Sequence, residues 1–317
     1  MTAPERRGFM DCQRVKVAAD GIAVLLVAFA LTACQASTTP TETATLGSAS
    51  SREALVQSVA KRPTIEFRKW TSASWIVPLG GLLNLQHPKA IAANLTDREE
   101  PIEIYVYSLT HPEFGTYLVD SGVSTLFLEE SGNPLISQIV ARAMNMGQLV
   151  VQKTTADIAK ELGGIDGVFL THIHLDHIMG LTDLPPSTPV YIGPGDAAAK
   201  AGLNALTVGS TDRLLATQGA LNEWDYSQTK VLDIFGDGSV FAIHSPGHTP
   251  GATAYFVNST AGPQLLLGDT THTRWGWENG VEAGSFSADI PTSAQSLSWL
   301  KALARDLPQA TAHPGHQ

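Results

Sequence analysis

The stretch Thr171-His172-Ile173-His174-Leu175-Asp176-His177 crowds four metal-ligating side chains into six residues, directly behind the apolar run Val168-Phe169-Leu170. A strand cannot bring them to one centre, because alternation sends His172, His174 and Asp176 to one face and His177 to the other. A loop leaving a strand can. The pattern therefore predicts a strand over 168–170, a turn carrying the donors and a short helix over 178–184. Three imidazoles and a carboxylate suit a borderline divalent cation such as zinc, and four donors exceed what one tetrahedral ion takes from one loop. Two metal ions are expected.

The rest of the chain reads as supplying partners to this loop. Val240 to His244 is predicted as a strand running into Ser245-Pro246-Gly247-His248-Thr249-Pro250-Gly251, where two glycines and two prolines fix a turn around one imidazole. Gln264-Leu265-Leu266-Leu267-Gly268-Asp269 delivers a carboxylate at a strand end, and the sequence finishes in Ala310-Thr311-Ala312-His313-Pro314-Gly315-His316. Upstream, Ile102–Tyr107 and Phe114–Val119 form a hairpin that ends in Asp120-Ser121-Gly122. Asp120 is a candidate for orienting a metal-bound imidazole. Further strands are expected over 190–192, 231–235 and 252–257. Helices are expected over 134–146, 155–162 with a stop at Gly163-Gly164, 196–206, and from Asp289 or Thr292 to about Leu307.

As a set, Asp120-Ser121-Gly122, His172-x-His174-x-Asp176-His177, Gly247-His248-Thr249-Pro250-Gly251, Gly268-Asp269 and Pro314-Gly315-His316 resemble, in order and spacing, the metallo-β-lactamase superfamily over 101–317. The resemblance implies an α+β fold, a four-layer αβ/βα sandwich with a binuclear site at its edge. It assigns His172, His174 and His248 to the first metal and Asp176, His177 and His316 to the second, with Asp269 bridging. His313 stays open as the last ligand in place of His316. His174 stands where flavin-linked di-iron relatives carry glutamate, which favours hydrolysis. Only 21 positions separate His248 from Asp269, too few for the inserted domain of nucleic-acid-processing members.

Within the superfamily, the hairpin from Tyr105 to Asp120 looks most like that of the quorum-quenching N-acyl-homoserine lactonases. There is one departure: many of those enzymes carry a tyrosine three residues after the bridging aspartate, where this chain has His272. The resemblance implies hydroxide attack on a lactone, ester or thioester. Asp176, beside such a hydroxide, is the expected proton shuttle to the leaving group; at the departing position His272 is expected to hold the developing oxyanion, and Trp275 and Trp277, just beyond it, to line an acyl pocket. Two rival readings are a persulfide-dioxygenase-like oxidoreductase with a single iron and a lipid-anchored, metal-containing binding protein without turnover.

Before the metal motifs, Arg6, Arg7, Arg14 and Lys16 precede the apolar run Gly21–Ala30 and then Leu31-Thr32-Ala33-Cys34, which resembles the lipobox of bacterial lipoproteins. It implies a signal peptide over 1–33, a lipid on Cys34 as the membrane partner, and an exported lipoprotein of the cell envelope. Cys12 leaves with the signal, so the mature chain has no disulfide. Residues 34–51, rich in Ser and Thr, are expected to be a flexible tether. Residues 52–100 are expected to be an N-terminal extension packed on the main domain; its apolar stretch from Trp70 to Leu83 also leaves a membrane-facing or homodimer-forming surface open. The net charge of -10, with no basic block in the body of the chain, argues against nucleic acid and for a small-molecule substrate.

Overall fold

Alternation along Tyr117-Leu118-Val119 and Val168-Phe169 puts Leu118 and Val168 on one side of a sheet and Tyr117, Val119 and Phe169 on the other, and both sides are buried. Such strands need cover on two faces. The computed structural model supplies it over the residues it describes, 35–129, 133–200 and 204–317; the expected signal peptide and Cys34 lie outside these.

In chain order the strands are β1 (Thr41–Thr43), β2 (Ser48–Ser50), β3 (Glu66–Pro78), β4 (Glu99–His111), β5 (Gly115–Val119), β6 (Val150–Val151), β7 (Gly167–Phe169), β8 (Val190–Ile192), β9 (Leu221–Glu223), β10 (Val231–Asp233), β11 (Val240–His244), β12 (Thr253–Ser259), β13 (Gly262–Gly268) and β14 (Thr311–Pro314). They form an eight-stranded sheet in the order β1-β9-β8-β7-β5-β4-β3-β6 and a six-stranded sheet in the order β14-β13-β12-β11-β10-β2. Tyr107, Val119, Phe169 and Tyr191 from the first sheet pack against Val240, Ala242, Tyr255 and Val257 from the second. Helices close the outer faces. Ile158, Leu175 and Leu214 cover the first sheet, while Leu300, Leu303 and Leu55 cover the second. The result is the αβ/βα sandwich that the sequence implies.

Local signals explain several boundaries. The helix Thr155–Leu162 starts at a capping box between Thr154 and Asp157 and stops at Gly163 in the left-handed region. The helix Ile290–Asp306 is capped by Asp289, which accepts from the Thr292 N–H.

Five expectations need correction. Residues 34–51 are not a free tether: β1 pairs in parallel with β9 and β2 pairs with β10, so this segment edges both sheets. The segment 52–100 is not an add-on, because β3 runs between β4 and β6 along the first sheet and β4 itself begins at Glu99. Trp70, Trp75, Val77, Leu79, Leu82 and Leu83 are consequently interior side chains rather than a membrane or dimer surface. The helix expected over 196–206 instead runs Asn204–Leu215, and the one expected over 178–184 is a helical turn at Leu175–Ile178 followed by a 3-10 turn at Leu181–Asp183.

Candidate metal centre

Four strand ends converge at one edge of the sandwich. Beyond β7, His172 and His174 lie on the loop and Asp176 and His177 fall in the first turn of the helix Leu175–Ile178. The loop after β11 brings His248, β13 ends at Asp269, and β14 leads into His316. Two glycines make the approach possible. Gly247 has φ +135°, and a Cβ there would lie 2.2 Å from the Ser293 nitrogen. A Cβ on Gly315 would lie 2.1 Å from Asp269 Oδ1.

The donors fall into groups. Nε2 of His248 lies 3.1 Å from Nε2 of His172 and 2.9 Å from Nδ1 of His174. Asp176, His177, Asp269 and His316 form a second group of ligand atoms within 4.8 Å of one another, and His248, Asp269 and His272 a third. Asp269 joins them. Its Oδ2 lies 3.7 Å from His172 Nε2, 3.5 Å from His248 Nε2, and 3.4 Å from Nε2 of both His177 and His316. Asp176 Oδ2 is 3.4 Å from His316 Nε2 and 3.7 Å from His177 Nε2.

The far sides of four of the rings are held. His177 Nδ1 donates to Asp120 Oδ2 at 2.8 Å, and His316 Nδ1 donates to the Glu103 carbonyl at 2.8 Å. Thr171 Oγ1 stands 3.1 Å from His172 Nδ1 and donates in turn to Asp120. His248 Nδ1 faces Ser287 Oγ at 3.2 Å. Such partners fix tautomer and ring direction, leaving the inward nitrogens free to ligate. Asp120 does this from a φ of +58°, a left-handed conformation that non-glycine residues keep only where the surroundings impose it.

The electrostatics fit a cation. His177 Nε2 and Asp269 Oδ1 are buried with no hydrogen-bond partner, a costly state for polar atoms away from water. Burial and the neighbouring imidazoles hold His172 and His248 well below the usual histidine range, so these rings are neutral donors. Against the penalty of burial, Asp269 and hydrogen bonds to Asp176 and Asp269 push His316 up to about 10. Protons there stand where divalent charge would otherwise balance the carboxylates, and metal binding would displace them.

His272 lies inside this cluster, with Nε2 3.1 Å from Asp269 Oδ2, its ring stacked on His316, and its buried Nδ1 unpartnered. His313 does not join: its Nε2 bonds Gln264 Oε1 at 2.8 Å and its ring packs beside Phe67 and Tyr107. Of the two candidates for last ligand, only His316 reaches the donors.

A cavity of about 880 Å³ opens onto His174, Asp176, His248, Asp269, His272 and His316. Its wall includes Trp75, Val77, Leu82, Met144, Leu206 and Phe286. Trp275 and Trp277 are absent from it, a correction with a simple cause. The helix Arg274–Asn279 turns them away, Trp275 toward Leu79, Leu83 and Val281 and Trp277 toward Phe256, Leu300 and their neighbours. Sequence reading also missed Asp196. Its buried carboxylate accepts from the Ile173 N–H at 2.9 Å and the Gly251 N–H at 3.1 Å, tying the two histidine loops together, and burial raises its pKa to about 6. Nothing local marks Asp196, since its partners lie far away in sequence.

The profile of the metallo-beta-lactamase superfamily matches residues 104–316, which include every donor described above. The chain belongs to that superfamily. Among curated proteins it is 28% identical over 185 residues to gamma-lactamase FDB1 of Fusarium pseudograminearum, covering 53% of this chain and 45% of the relative. It is 24% identical over 232 residues to the N-acyl homoserine lactonase AttM of Agrobacterium fabrum, covering 70% of this chain and 84% of the relative. The chain thus spans about half the length of the gamma-lactamases it matches, 45% and 59% in the two cases. Among solved structures, a quorum-quenching N-acyl homoserine lactone lactonase superposes with a TM-score of 0.60 at 16% identity, over 80% of this chain and 93% of that one. AidC, described as a dizinc quorum-quenching lactonase, superposes at 0.52 with 19% identity, over 81% and 88%. At these identities the superpositions establish the fold alone.

Proposed function

We propose that this superfamily hydrolase is binuclear and opens lactones or cleaves related esters that carry an apolar acyl group. The observation that carries this reading is a single cavity whose floor is the joined donor cluster and whose wall is largely apolar. A polar floor for the reacting carbonyl and an apolar wall for a chain is the division that sites for amphiphilic small molecules make. The likeness to lactonases supports the lactone among esters.

His172, His174 and His248 would hold one divalent cation and Asp176, His177 and His316 a second, with Asp269 touching both; zinc suits these donors. When bound, two such cations lower the pKa of a shared water enough to supply hydroxide near neutral pH and polarise the scissile carbonyl. The chain's own residues do the rest. Asp176 lies at the cavity surface between His177 and His316, so its carboxylate can accept a proton and pass it to the departing alkoxide. His272 lines the same floor, and an imidazole N–H there can donate to the carbonyl oxygen as negative charge develops on it. The wall side chains exclude water from the reacting end and hold the acyl chain.

The likeness of Leu31-Thr32-Ala33-Cys34 to a lipobox adds a place to this reading: the chain would be exported, cleaved before Cys34 and kept at the cell envelope through lipid on that cysteine. Among the described residues no helix is long and apolar enough to cross a membrane. The test is a hydrolysis panel on the purified metal-loaded protein, in which lactones and esters of graded acyl length should turn over and a chelator should abolish the rate. Sulfur-dependent oxygen uptake with one iron per chain would instead identify an oxidoreductase.

A further inference from the structure

The chain enters the described structure at the rim of the cavity. Gln35 forms a bridge with Lys200, Ser37 N–H donates to the Ala197 carbonyl at 2.9 Å, and Ala36 and Lys200 both line the cavity. The segment is pinned there. Asp212 accepts from Ser37 Oγ at 2.6 Å, from the Thr38 N–H at 2.8 Å and from Thr38 Oγ1 at 2.6 Å, and β1 then joins the sheet edge. Little slack remains between Cys34 and the domain, since two residues reach at most about 7 Å. The same side carries large apolar side chains that the fold leaves in water. Leu206 on the cavity wall is 51% exposed and Phe286 on the wall is 37% exposed.

From this placement we infer that the cavity mouth is a membrane-docking face: acyl chains on Cys34 seat the rim on a lipid bilayer, and the enzyme takes lipophilic lactone or ester substrates from the lipid phase. The inference rests on the lipid-anchor reading of Cys34. A long tether would let the domain sample every orientation above the membrane, whereas an attachment about 7 Å from the cavity lining fixes which side faces lipid. An acyl substrate leaving the bilayer would then pass from one apolar environment to another, so its chain need not be exposed to water on the way.

The test reads orientation and turnover on the full chain processed in a bacterial host and reconstituted in phospholipid vesicles. Cys34 being acylated, Leu206→Cys supplies one free thiol for a nitroxide label. Ala261→Cys is the control, exposed at the turn between β12 and β13, with the length of β13 between it and Asp269, about 20 Å. Each is measured with the natural spacing and with a long Gly/Ser segment inserted between Cys34 and Gln35. The expected result is a label at 206 reached by lipid-phase oxygen and shielded from an aqueous relaxant, a label at 261 in water, and a label at 206 that returns to water after insertion. Insertion should also slow hydrolysis of a bilayer-held long-chain ester by about tenfold, through lost effective concentration, while a short water-soluble ester reacts as before. If acylated protein shows the label at 206 as water-exposed as that at 261, the docking face is overturned and the anchor stands. If mass spectrometry finds Cys34 without lipid, the anchor reading fails and the docking inference with it.

Discussion

The floor and the wall of the cavity are assembled differently. Floor donors sit within a few residues of strand ends, and the rings of His172, His177, His248 and His316 are braced from behind by partners such as Asp120 and the Glu103 carbonyl. The wall comes from Trp75 and Val77 on β3, Met144 past the helix Gln138–Ala143, Leu206 on the helix Asn204–Leu215, and Phe286 on a loop. Floor atoms are fixed by directional hydrogen bonds; wall atoms need only be apolar and of the right volume. Chemistry therefore belongs to the floor and substrate range to the wall, and substitutions in the two regions should separate accordingly.

The largest effect is expected at the joint of the floor. Asp269→Ala should abolish hydrolysis of every substrate and lower metal content more than His172→Ala, because the aspartate reaches both the His172 and His248 rings and the His177 and His316 rings. Metal analysis beside kcat checks this, and two retained metals at full rate would remove Asp269 from its bridging place. Next is His272→Phe, expected to lower kcat by roughly 10²- to 10³-fold with both metals kept, the usual loss for one oxyanion donor. A lost metal would make His272 a ligand, and a rate within a few-fold of the parent would make it packing. Asp120→Ala should weaken metal affinity by roughly 10- to 100-fold through the freed His177 ring, and a chelator titration reads it.

The smallest effect, and the sharpest test of the comparison, is in the wall. Met144→Trp narrows the cavity without touching a donor, so it should cost about tenfold in kcat/KM for a long acyl chain and leave a short one unchanged. An equal loss for both chain lengths would mean that wall and floor are not separable.

The same difference governs what sequence could reveal. The donors stand out because His and Asp interrupt apolar strands at their ends, beside Gly and Pro that force sharp turns, and all of that is local. The layered fold follows from the same alternation, and the helix Thr155–Leu162 from its own cap residues. The wall is set by tertiary packing and leaves no local mark, which is why aromatic bulk near Asp269 suggested Trp275 and Trp277 wrongly. The segment 34–51 misled for another reason. Its side chains are mostly exposed and polar, as a tether's would be, but β1 and β2 are held through backbone groups that composition does not report. Asp196 was missed because a buried carboxylate that clamps two distant loops looks, in sequence, like the start of a helix.

The most direct measurement of the central claim is metal content per chain taken together with hydrolysis across an acyl series, before and after chelation. Two divalent ions per chain, turnover that varies with acyl length, and loss of turnover when the ions are removed are the expected result. Tightly held metal with no turnover of any lactone, ester or thioester would contradict it.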